Sequence, residues 1–277
     1  VSLLFFAELT KLWGRPSARV VLITSILLGA GGPLLLLLGQ GSHLTVNGAD
    51  ISDKIDTSVP NAIGWSLWLR GFYVAQLALL LLASQSYAGE LVNQTLRDDL
   101  VRPVQRSLVL AAKGAVLAAG SLVSHVGALL VATLTGFLLL QGNGDSPWSV
   151  ALAATASAWA CEVGFVVFAL AVSVVTRSVA GGLAGAFLFV LLERLVSVGL
   201  TVLGWAAEAM PPQFATLPAI VDTIVELGPL LPSAGWTAWE SVARGDAVVW
   251  QHWVSLAGWT ALSALVADRV FARTDVP

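Results

Sequence analysis

Charge is scarce in this chain. Only 11% of its 277 residues are Asp, Glu, Lys or Arg, while 57% are hydrophobic, for a mean hydropathy of +0.83. A soluble domain carries roughly a quarter of its residues charged. The composition therefore excludes a water-surrounded globule and implies an integral membrane protein. Cysteine is nearly missing. The single Cys161, inside an apolar run, excludes an intrachain disulfide and a cysteine-built metal site. No G-x-x-x-x-G-K-[ST] phosphate loop occurs, so ATP cannot be bound in that fashion; Gly114 follows Lys113, but the spacing is wrong. Neither G-x-S-x-G nor H-E-x-x-H is present, and the neighbours Ser124 and His125 face apart on a helix. Catalysis, metal binding and a cofactor on this chain are not expected, and neither is nucleic-acid binding.

What remains is apolar sequence. A helix needs about 20 apolar residues to cross the hydrocarbon core. Six segments qualify: residues 20–39, 65–86, 107–140, 150–175, 179–203 and 248–267. The run 20–38 is longer than a signal-peptide core and no small-residue cleavage site follows it, so it reads as a retained span. Lys and Arg choose the orientation. Ten fall on one side: Lys11, Arg15, Arg19, Arg97, Arg102, Arg106, Lys113, Arg177, Arg269 and Arg273. The other side has Lys54, Arg70 and Arg244, with Arg194 inside a span. Both termini are thus expected in the cytosol. Arg70 is expected to snorkel outward from the second span. Trp65, Trp68, Trp148, Trp205, Trp236, Trp239, Trp250 and Trp253 are expected at the outer interface.

Two segments do not read as spans. Residues 2–15 form an amphipathic pattern: Phe5, Leu9, Leu12 and Trp13 recur at helical spacing, against a stripe of Glu8, Lys11 and Arg15. This predicts a helix in the cytosolic interface, within residues 1–19. Residues 204–246 are apolar but broken by Pro211, Pro212, Pro218, Pro229 and Pro232. They predict short re-entrant helices on the outer side, tolerated where protein surrounds the broken backbone. The fold class is an all-α, six-span membrane protein forming a single domain over residues 1–277.

The densest polar stretch lies between the second and third spans. It runs Gly89-Glu90-Leu91, then Thr95-Leu96-Arg97-Asp98-Asp99-Leu100, then Arg102-Pro103 and Arg106, closed by Lys113. Glu90 lies near a helix start, where the dipole favours a carboxylate, and Pro103 forces a turn before the third span. On charge alone this is a basic loop obeying the positive-inside rule, or a docking handle for a cytosolic partner.

The order Gly-Glu, Thr-Leu-Arg, Arg-Pro, Arg, Lys resembles the membrane subunit of an ABC-2-type ABC exporter, and the resemblance in layout covers the whole chain. Gln94 stands where that family commonly has Gly, and Asp98-Asp99 is a further departure. The resemblance implies that residues 89–106 form a coupling helix carrying Gly89, Glu90, Leu91, Thr95, Leu96, Arg97, Asp98, Leu100, Arg102, Pro103 and Arg106. It implies two copies of a separate ABC ATPase holding ATP and Mg, and a dimer with a second permease copy or a paralogue. It also implies export of an amphipathic or lipid-like substrate across a bacterial plasma membrane. Accessory envelope proteins and mechanical or regulatory work without transport fit the same pattern, and an ion-driven secondary transporter is the alternative outside the family.

Other residues carry two readings each. Gly181 and Gly185 form a G-x-x-x-G pair in the fifth span, and Gly29 and Gly32 give a matching small face in the first. The resemblance places a dimer interface there; packing inside one subunit is the alternative. His125, Glu162, Glu193 and Arg194 lie within spans, where ionisable groups are costly. They either line a polar cleft or pair between helices.

Overall fold

The computed structural model describes residues 2–40, 45–46, 49–50, 56–71, 74–93, 95, 105–140, 147–208, 228–244 and 250–273. Apart from a two-residue antiparallel pairing of Thr45–Val46 with Ala49–Asp50, the regular elements among them are helical. They are α1 (Ser2–Gly14), α2 (Pro16–Leu27), α3 (Gly31–Gln40), α4 (Val59–Gly71), α5 (Val74–Ser84), α6 (Glu90–Val92), α7 (Arg106–Leu139), α8 (Trp148–Thr176), α9 (Val179–Glu208), α10 (Pro232–Trp236), α11 (Ala238–Arg244) and α12 (Trp250–Ala272). A 3₁₀ turn, Leu28–Ala30, joins α2 to α3, and a π-turn, Gln85–Gly89, joins α5 to α6.

Five of these stretches are long and apolar enough to cross a membrane: Pro16–Gly39, Arg106–Leu139, Trp148–Thr176, Val179–Ala206 and Trp250–Ala272. They match five of the six expected segments to within a few residues. The remaining one, 65–86, falls on α4 and α5, which flank positions outside the described residues. The chain is thus a helical protein of multi-pass membrane character.

Helix α8 is the hub. In its most apolar stretch 61% of residues are buried, against 28% or fewer in the other four. The cause is legible in its sequence: Ala151, Ala154, Ala158, Gly164 and Ala169 give it small surfaces on several sides, and a helix apolar all round belongs inside. It packs against α4, α5, α7, α9, α11 and α12. Outward faces carry large hydrophobes instead. Leu130, Leu134 and Leu138 on α7 are exposed, as are Leu188, Leu192 and Leu195 on α9. That is costly in water and ordinary against lipid.

Close backbone approach sets the first hairpin. A side chain on Gly29 would strike the backbone of Ala128 on α7, and one on Gly32 would strike Ala62 and Ser66 on α4. Ser66 stitches the contact: its hydroxyl donates to the Gly29 carbonyl (2.6 Å) and accepts from the Gly32 N–H (3.2 Å). The small face of Gly29 and Gly32 is therefore spent inside the chain. Gly181 and Gly185 differ: a side chain on Gly181 would press lightly on Thr176 and Ser178, and one on Gly185 would meet Val172 and Thr176 only at ordinary contact distances.

Trp236 and Trp239, expected at the outer interface, are buried among the helices. Trp236 packs edge-on against Phe165 at 5.0 Å between ring centroids, because the turn at Pro232 aims α10 into the bundle. The expected break begins later than residue 204, since α9 runs to Glu208; Gly228–Leu230, α10 and α11 are the short helical pieces described beyond it. Residues 209–227 and 245–249 lie outside the described residues.

Candidate functional site

The elbow before the third expected span is anchored by a buried charge cluster. After α5 the backbone widens into the π-turn Gln85–Gly89. Such a turn inserts a residue and re-aims the face that follows, and it recurs at functional positions. Here it is followed by Glu90, which is only 4% exposed. The Glu90 carboxylate meets two helices at once. Its Oε2 lies 2.5 Å from Lys113 Nζ on α7 and 3.7 Å from Lys11 Nζ on α1; its Oε1 lies 2.8 Å from Arg15 Nη2. Lys113, with no exposed side-chain surface, also donates to Glu8 Oε2 at 2.7 Å, and Lys11 donates to Glu8 Oε1 at 2.8 Å. Two carboxylates and three cations thus bind α1, α6 and α7 into one unit. Ser17 adds a hydroxyl bond to Gln85 within the π-turn.

The N-terminal helix is present as α1, but its polar stripe is turned inward. Glu8 is buried against Lys113, while Trp13 stays exposed. The reason is the buried ammonium of Lys113: in low dielectric it needs carboxylate partners, and Glu8 and Glu90 supply them.

The expected coupling residues divide. Gly89, Glu90, Leu91, Thr95 and Arg106 are placed; Leu96, Arg97, Asp98, Leu100, Arg102 and Pro103 lie outside the described residues. Thr95 donates its hydroxyl to the Glu90 carbonyl at 3.4 Å. Arg106 does something that charge counting did not suggest. Its Nη1 donates to the carbonyls of Phe271 (3.3 Å) and Ala272 (3.4 Å), and its guanidinium lies 6.0 Å from the Phe271 ring centroid. It therefore caps the last carbonyls of α12, which a cation at a helix C-terminus favours. Tyr87 of the π-turn meets Phe271 edge-on at 5.4 Å. The elbow is thereby tied to the C-terminal helix as well as to α1.

A second polar cluster sits midway along the long helices. Arg70 of α4 is 3% exposed, so it does not snorkel outward. Its Nη2 donates to Ser124 Oγ on α7 at 2.8 Å and lies 3.6 Å from Glu162 Oε1 on α8. Ser121 donates its hydroxyl to Glu162 Oε2. His125 Nδ1 lies 3.0 Å from the Ser121 carbonyl and 3.3 Å from Glu162 Oε2. The correction has a simple cause: α7 and α8 bring the Ser124 hydroxyl and the Glu162 carboxylate within reach of Arg70, so pairing replaces escape to the interface. Arg70 Nε and Nη1 have no hydrogen-bond partner among the described residues.

Glu193 and Arg194 do not join this group. Glu193 Oε1 accepts the Ser233 backbone N–H at 3.1 Å, holding the start of α10 against α9, and Arg194 is half-buried. Among the described residues, no group of three or more His, Cys, Asp and Glu is placed to hold a metal ion.

Sequence comparison adds no family to this geometry: no protein-family model matches the chain, and no curated protein matches it.

Proposed function

We propose that this chain is the membrane-spanning subunit of an ABC-2-type exporter, powered by two copies of a separate ATPase. In this reading α4 and α5 together form the second span, both termini are cytosolic, and α1 lies in the cytosolic interface. The chain pairs with a second copy or a paralogue in a bacterial plasma membrane and moves an amphipathic or lipid-like substrate outward. The ATPases contact residues 89–106. Any such contact shifts the permease between states only by its differential affinity for them, so the elbow must be mechanically joined to the spans.

The observation that carries the reading is the cluster of Glu8, Lys11, Arg15, Glu90 and Lys113. It joins Glu90, at the described start of the elbow, to α1 and to the early part of α7. A loop that merely satisfied the positive-inside rule would leave its charges in water; this one begins with Glu90 buried against Lys113. Charge reversal at Glu90 or Arg97 is the test. It should leave membrane insertion intact while separating ATP hydrolysis from transport; coupling that persists in both variants removes the role assigned to this segment.

One observation favours a second reading, an ion-driven secondary transporter. Arg70, His125 and Glu162 form an ionisable cluster deep between helices, and such groups mark ion paths in many membrane proteins. Uptake into vesicles driven by an ion gradient, without ATP, selects it.

A further inference from the structure

Helix α9 carries a charge that the rest of the chain does not answer. Of the five apolar stretches it is the least buried, at 19%. Its outward stripe is Phe187, Leu191, Val198, Val202 and Trp205, all exposed, which recur at the spacings of one helix face. Arg194 falls on the same stripe, three residues after Leu191 and four before Val198. It is half-buried, and among the described residues it makes no hydrogen bond and no ion pair. Glu193 stands about 100° round the helix from it and is bonded to the Ser233 N–H. Arg194 also lies near the middle of Val179–Ala206, about 18 Å along the axis from the nearer end. From mid-bilayer the headgroups are about 15 Å away, further than an arginine side chain extends. An unanswered cation at that depth is costly.

We propose that this stripe of α9 packs against a helix of a different membrane protein, one with an Asp or Glu at mid-span that pairs with Arg194. Charge complementarity fixes the partner's chemistry. A carboxylate is the counter-ion that a guanidinium grips with two parallel bonds, and Leu191 and Val198 supply apolar contact on either side of it. A second copy of this chain does not serve. Two copies related by a two-fold axis bring equivalent residues together, which sets Arg194 against Arg194 at one depth. Nor does the chain offer a carboxylate on another face. The five apolar stretches, with α4 and α5, hold three acids: Glu162, Glu193 and Asp268. Glu162 is paired with Arg70, Glu193 is buried, and Asp268 lies near the end of α12. The proposal needs only that α9 sits in lipid. Where the exporter reading also holds, the partner on this face is a paralogue rather than a second copy. Gly185 lies nine residues before Arg194, about two and a half turns away. It is therefore on the opposite side of the helix, and any contact through it is independent of this one.

The test places a photocrosslinking amino acid at Val198 in the full chain, in native membranes, and identifies adducts by mass spectrometry. The expected product contains a second membrane protein with Asp or Glu near the middle of an apolar run of about 20 residues. Arg194→Leu should lower its yield about tenfold, the loss expected for a hydrogen bond to a charged group, while Arg194→Lys keeps most of it. Arg194→Glu should also lose the adduct, and changing the partner's acid to Arg should restore it; that exchange shows that the variant folds. Leu191→Cys should form no disulfide between two copies, and the native Cys161 is buried and adds no background. An adduct or disulfide between two copies, an adduct with lipid alone, or a protein adduct indifferent to Arg194→Leu would each overturn the proposal. Crosslinking of the cytosolic segment to an ATPase tests the exporter reading by itself, so the two can fail separately.

Discussion

Lys113→Met is the most exacting perturbation of the charge cluster. It keeps the length and apolar stem of the side chain and removes only the ammonium. In the native protein that ammonium lies 2.7 Å from Glu8 Oε2 and 2.5 Å from Glu90 Oε2, with no exposed side-chain surface. Its loss leaves two buried carboxylates near one another. Removing one partner of a buried pair costs about 3–5 kcal/mol, because the other charge is left uncompensated. Lys11 and Arg15 remain close to Glu8 and Glu90, but they keep 33% and 25% side-chain exposure and are partly screened. The expected cost therefore lies at the lower end, about 3 kcal/mol. Unfolding in mixed micelles, followed by tryptophan fluorescence, measures it. Glu8→Gln in the Lys113→Met background should recover part of the loss, a coupling of about 0.5–3 kcal/mol for groups in one network. A cost below about 1 kcal/mol for Lys113→Met, strictly additive with Glu8→Gln, would refute the buried cluster.

Other outcomes follow from single contacts. Ser66→Ala removes one bond to the Gly29 carbonyl and one from the Gly32 N–H; a loss of about 1–3 kcal/mol in the same unfolding assay is expected. Gly32→Leu should destabilise the isolated subunit, because its side chain would strike Ala62 and Ser66. Gly181→Leu and Gly185→Leu should weaken the proposed dimer by crosslinking while the subunit stays folded; an unchanged dimer would assign those glycines to packing within the subunit. Arg106→Ala should fray the end of α12, raising hydrogen exchange at the last turn before Ala272; unchanged exchange would mean the cap contributes nothing.

The spans were legible because hydrocarbon thickness imposes a length and apolar composition imposes a choice, both local properties. Residues 150–175 and 107–140 were read to within two residues of α8 and α7. Helix α1 was legible from periodicity, but not the direction of its polar stripe. The partners of charged residues were not legible, since they depend on which helices meet and at what rotation. Arg70 and Glu162 are far apart in sequence, and Lys113 read as one more cation at a helix start. A signal was available: the spans carry few ionisable groups, and Arg70 and Glu162 are of opposite sign. Pairing them would have found the middle cluster. The burial of Trp236 and Trp239 was not legible because an aromatic belt and an aromatic core use the same residues. The contact of Arg106 with α12 was not legible because a positive-inside cation and a C-terminal cap use the same residue type.

The central claim is that residues 89–106 face the cytosol and receive force from an ATPase. A photocrosslinking amino acid at Arg97, in the full chain in native membranes, tests it directly. The account predicts a crosslinked product containing an ATP-hydrolysing subunit, formed from the cytosolic face and changed in yield by a nucleotide analogue. Reaction at that position from the outer face, or no protein crosslink in membranes that support ion-driven uptake, would contradict it.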